Sequence, residues 1–182
     1  MKSKFVKYTL VAVLVFFAVL AVYYSFSGSQ PADGVASADE SVATPVNPES
    51  LYLSLTNLEG DPVQMDSSKL VFMNVWATWC GPCNMEMPSI QSLYDRYKNN
   101  DKIAFYIVSD EAPGTVVPFI KRKGYDLPFY QYEGMYPPQL NGDAIPRTYL
   151  LRNGQVIAEE IGANRWDDPQ VIAFIEQQLQ SL

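Results

Sequence analysis

The chain contains no histidine and only two cysteines among its 182 residues. Without imidazole there is no general base that titrates near neutrality by default, and no nitrogen ligand for a metal. A tetrahedral zinc site of the sulfur–nitrogen kind needs four ligands, and two thiols alone cannot supply them. A soft Cu(I) site made of two thiolates stays open. Positive charge is also scarce, with 13 basic residues against 20 acidic ones. Three of the basic residues, and none of the acidic ones, fall before residue 27. So acidic a remainder excludes a phosphate-tracking nucleic-acid binder and gives no affinity for an anionic lipid surface. No internal repeat is present.

What remains is concentrated in Val71–Pro88, VFMNVWATWCGPCNMEMP. Val71, Phe72, Met73 and Val75 form an apolar run broken only by Asn74, which predicts a buried strand. Cys80-Gly81-Pro82-Cys83 follows, and then a helical pattern begins. A helix N-terminus gathers unpaired N–H groups and the positive end of the helix dipole. A thiolate placed there is stabilised and attacks disulfides at neutral pH. Pro82 suits the first turn, where a missing N–H costs nothing. Cys80 is therefore the expected nucleophile. Cys83, one turn on and on the same face, is the expected resolving thiol. Glu86 lies three residues further along that face, where a partly buried carboxylate could exchange a proton with Cys83. A purely structural disulfide is the bland alternative. Closing so short a loop restricts the unfolded chain by only about 2 kcal/mol, which is little use as a staple.

These residues resemble the thioredoxin superfamily, and NVWATWCGPCNMEMP more narrowly resembles its TlpA/ResA-like, membrane-anchored thiol–disulfide oxidoreductases. Asn74, the Trp76–Cys80 run, Glu86 and Pro88 carry the likeness. Thioredoxins proper usually place a buried Asp where this chain has Asn74, which favours the TlpA/ResA branch. The resemblance covers about residues 51–182 and is loosest over 110–142. It implies an α/β fold: a mixed sheet of about five strands flanked by helices, with an added N-terminal β-hairpin. It also implies that Pro146 is a cis-proline against the dithiol, although sequence alone gives a cis X–Pro bond a prior of only about 5%. Ile145 and Pro146 would then form one wall of a substrate groove, with Trp79, Gly81 and Pro82 on the other side. Trp79 and Tyr136 are expected to make an apolar lip, and Trp76 to be core. Arg147, less usual after this proline, is read as solvated, with attraction of acidic partners as the alternative.

Three parts are expected along the chain. Residues 1–26 carry Lys2, Lys4 and Lys7 before an uncharged run, Tyr8–Phe26, just long enough to span a bilayer. A cleaved signal peptide is the rival reading. Residues 27–48 are poor in large apolar side chains and read as a flexible linker. Residues 49–182 form the domain, placed on the extracytoplasmic side, where disulfides persist. Within it, alternation predicts strands at Leu51–Leu58 and Val63–Met65. Further strands are expected at Lys69–Ala77, Ile103–Val108, Phe129–Tyr132, Arg147–Leu151 and Val156–Ile161, the last two joined at Asn153-Gly154. Helices are expected at Cys83–Tyr97, Thr115–Lys123 and Asp168–Leu182.

The expected activity is disulfide reduction in exported cysteine proteins, with apocytochromes c among the candidates. Electrons would come from a membrane-embedded thiol donor. No cofactor beyond the Cys80–Cys83 pair is implied. A disulfide-forming oxidant, a tethered Cu(I) carrier and a noncatalytic binding module are the rivals.

Overall fold

The computed structural model describes residues 51–182, so the expectations for the anchor at residues 8–26 and the linker at 27–48 lie outside the described residues. Among the described residues, no helix is long and apolar enough to cross a membrane.

Among the described residues, seven strands form one sheet: β1 (Ser54–Asn57), β2 (Pro62–Gln64), β3 (Leu70–Val75), β4 (Ile103–Ser109), β5 (Phe129–Gln131), β6 (Arg147–Arg152) and β7 (Gln155–Ile161). Their order is β2-β1-β5-β4-β3-β6-β7. The parallel core β5-β4-β3 is continuous with antiparallel β6 and β7, and β1 and β2 pair antiparallel on the far edge. The helices are α1 (Gly81–Tyr97), α2 (Pro113–Lys123) and α3 (Pro169–Gln180).

β3 is central because every one of its residues is buried, so both faces must be covered. Leu70, Phe72 and Trp76 pack into a cluster shared by the three described helices, through Ile90 and Leu93, Val116 and Phe119, and Ile175 and Leu179. Val71, Met73 and Val75 face the opposite way, against Leu51, Leu53, Leu55 and Met65. That side is closed by the N-terminal segment. Asn74 shares the helix-facing side of β3 and is the only polar residue in the strand.

Local signals account for most boundaries. Asn153 and Gly154 both adopt positive φ (51° and 75°), as a two-residue hairpin turn requires. Gly124, at φ 72°, closes α2. Asp168 caps α3 by accepting from the Gln170 N–H at 2.8 Å. α1 begins at Gly81, two residues earlier than the spacing predicts, because Cys80 itself is the N-cap. Met87, Ile90 and Leu93 are buried on the core face of α1, and Tyr94 is half-buried. α1 continues through Pro88.

Candidate active site

β3 ends at Val75 and the chain turns through Trp76–Trp79 into α1, so the dithiol sits at the junction of strand and helix. Cys80 and Cys83 are joined in a disulfide, with their Cα atoms 5.3 Å apart. The Cys83 N–H donates to Cys80 Sγ at 3.2 Å, and the Asn84 N–H donates to the Cys80 carbonyl at 3.1 Å. The first sulfur thus sits on the free donors of the helix N-terminus, where a thiolate gains most. Both cysteines are buried, while Trp79 beside them is 74% exposed and Gly81 and Pro82 are also exposed.

The turn before Cys80 is pinned at Thr78. Its N–H and hydroxyl donate to the two carboxylate oxygens of Glu111 at 2.6 and 2.7 Å. Its carbonyl accepts from Asn84 Nδ2 at 3.0 Å. Glu111 follows β4, so the strand next to β3 supplies the clamp. Nothing in the local pattern of Ser109-Asp110-Glu111 marks this role.

Glu86 is 2% exposed and lies one turn beyond Cys83 on the buried face of α1. Three donors hold it. Asn74 Nδ2 reaches Oε1 at 2.8 Å, while the Asn164 N–H at 3.1 Å and Trp166 Nε1 at 2.9 Å reach Oε2. Asn74 Nδ2 also donates to Thr148 Oγ1 at 2.8 Å. Burial pushes the Glu86 carboxyl above its ordinary range, and the nearby Glu160 charge adds to the rise. The bonds from Trp166, Asn164 and Asn74 pull it back part of the way. A carboxyl raised in this manner holds its proton to higher pH than a free one, which suits it to exchange a proton with a neighbouring thiol. Asn74 carries a sequence signal; Trp166, Asn164 and Thr148, brought from more than 70 residues away, carry none.

The Ile145–Pro146 peptide bond is cis. A cavity of about 220 Å³ opens beside it, lined by Trp79, Tyr136, Ile145 and Arg147 among others. Trp79 and Tyr136 thus border one space, as the apolar lip requires. Trp76 is core, 5.6 Å from Phe119 and 5.3 Å from Phe129 between ring centroids. The reading of Arg147 as solvated is wrong. The guanidinium is buried, because the Leu140 and Ala144 carbonyls accept from it and the Tyr136 ring covers it. Among the described residues, no three side chains of the His, Cys, Asp and Glu types cluster as metal ligands would.

Comparison with known proteins agrees with this geometry. The sequence matches the Redoxin family over residues 41–175. It is 31% identical over 112 residues to the thiol-disulfide oxidoreductase ResA of Bacillus anthracis, covering 59% of this chain and 65% of that protein. The chain therefore spans just under two thirds of the length of such relatives. Identity to ResA of Halalkalibacterium halodurans is 30% over 129 residues, covering 69% of this chain and 73% of that protein. The crystal structure of StoA from Bacillus subtilis superposes with a TM-score of 0.55 at 22% identity, covering 71% of this chain and 94% of that one. The last shows a shared fold.

Proposed function

Since this chain belongs to the Redoxin family, on its TlpA/ResA-like branch, we propose that it is a thiol–disulfide oxidoreductase that reduces disulfides in exported proteins. The observation that carries the reading is the Cys80–Cys83 disulfide at the N-terminus of α1, one turn from a buried carboxyl.

The cycle starts from the dithiol. The Cys80 thiolate attacks one sulfur of a substrate disulfide. A Cys80–substrate bond forms, the substrate bond breaks, and the leaving sulfur takes the electron pair and then a proton. Cys83 gives its proton to the Glu86 carboxylate and attacks Cys80 Sγ. The second substrate sulfur departs and is protonated. Two electrons and two protons have then moved to the substrate, and the protein holds the Cys80–Cys83 disulfide. A second dithiol must reduce it. With the domain outside the cytoplasm, that donor is a membrane-embedded thiol carrier.

The basic start and uncharged run of residues 1–26 support delivery across a membrane and retention there as a single-pass anchor. Exported cysteine proteins are then the accessible substrates, and the family likeness makes apocytochromes c a specific candidate.

Trapping tests the reading. Reduced Cys83→Ser protein, mixed with a peptide disulfide, accumulates a covalent adduct at Cys80 that mass spectrometry resolves. Cys80→Ser protein accumulates none. Equal adduct formation in both variants, or in neither, would sink the assignment.

A further inference from the structure

Arg147 opens β6, directly after Pro146, and is 5% exposed. Among the described residues, no carboxylate lies within ion-pair distance of it. A buried guanidinium without a counter-charge is costly, so its donors must be used otherwise. Nε donates to the Leu140 carbonyl and Nη1 to the Ala144 carbonyl, each at 3.3 Å. Its Cζ lies over the Tyr136 ring, 4.7 Å from the centroid, a cation–π distance.

One side chain thereby ties Tyr136, the turn ending at Leu140 and the Ala144 carbonyl together, and Tyr136, Ala144 and Ile145 line the cavity that Trp79 also borders. The loop wraps closely around the arginine stem, since a Cβ at Gly142 would lie 3.3 Å from Arg147 Cδ. Among the described residues, the buried Tyr136 hydroxyl has no hydrogen-bond partner, so the ring is held by its faces and edges. Its ring packs against the Arg147 guanidinium and against the Tyr132 ring, whose centroid is 4.8 Å away.

We propose that Arg147 is a positioning residue that holds Tyr136 and the Ala144–Ile145 backbone as one wall of the substrate groove. It sets affinity for an extended cysteine-containing peptide rather than the rate of sulfur exchange. The proposal rests on the oxidoreductase reading above. It differs from an anion subsite, in which the positive charge itself would attract an acidic substrate. Asp110 and Asp143 line the same cavity and oppose such a substrate.

The test is steady-state reduction of a short peptide disulfide by the full chain, comparing wild type with Arg147→Met and Arg147→Lys. Methionine keeps the apolar stem, and lysine keeps the charge but not the planar fork. Both variants are expected to raise KM about tenfold, the size of one lost positioning interaction, with kcat within twofold. Should the Met variant fail to fold, Tyr136→Leu removes the ring that Arg147 covers and is expected to show the same split. Recovery of KM by lysine would overturn the proposal in favour of a charge effect, and so would a fall in kcat at constant KM. Wild-type turnover with unchanged KM in the variants overturns this proposal alone. Wild-type protein that reduces no disulfide overturns the parent reading and this one with it.

Discussion

Trp166 donates its indole N–H to the carboxylate of Glu86 at 2.9 Å, across 80 residues of sequence. The same ring stands edge-on to Phe72 of β3, with centroids 5.1 Å apart. Strand, active-site helix and the entry to α3 therefore meet at the one buried acid near the dithiol. Trp166→Phe keeps the ring and removes the donor. The Glu86 carboxyl is expected to rise further, because the largest of the bonds that hold it down is gone. Stability should fall by about 1–3 kcal/mol, the usual cost of a buried group losing its partner. Thermal melting reads the second effect, and the pH dependence of peptide reduction reads the first.

Glu86 also imposes a pH dependence on stability. Its folded value lies above that of a free glutamate, so the folded state binds more protons than the unfolded one between the two values. Stability is full below the unfolded value and declines as pH rises through the folded one. Glu86→Gln is expected to flatten this decline in pH-dependent denaturant unfolding. It should also slow resolution by Cys83 and change its pH profile. A pH–rate profile identical to wild type would remove Glu86 from the mechanism.

The clamp on Thr78 predicts a different phenotype. Glu111→Ala strips the acceptor from a part-buried backbone N–H and a hydroxyl, and should lower stability by about 1–3 kcal/mol. Trp79, the next residue but exposed, should gain mobility, read as lower fluorescence anisotropy once the other two tryptophans are replaced by Phe in both proteins.

What could be read in advance follows the range of the interactions. Cys80, Cys83 and the start of α1 are legible because residue type, a two-residue spacing and a helix N-terminus are all local. The Asn153-Gly154 turn and the extent of α3 are legible for the same reason. Asn74 and Pro146 became meaningful only through family resemblance, since neither a polar residue in a strand nor an X–Pro bond carries its tertiary role in its neighbours. Trp166, Asn164 and Glu111 are not legible because their partners lie 33 to 80 residues away. Arg147 shows the limit from the other direction: its charge suggests solvent, but carbonyls and a ring supplied by the Tyr136–Ala144 segment bury it.

A control separates fold from function. Asp168→Ala removes the cap of α3, the Gln170 N–H bond at 2.8 Å. It should cost about 1 kcal/mol, a few degrees of melting temperature, with peptide reduction unchanged at temperatures where the protein stays folded.

The central claim is that Cys80–Cys83 serves as a reducing dithiol, and its reduction potential tests this most directly. Equilibration of the protein with a thiol–disulfide buffer, followed by Trp79 fluorescence or thiol alkylation, gives the value. The account predicts about −250 mV or lower, the range of reductants that need a supply of electrons. A value near about −120 mV would contradict it and mark a disulfide-forming oxidant.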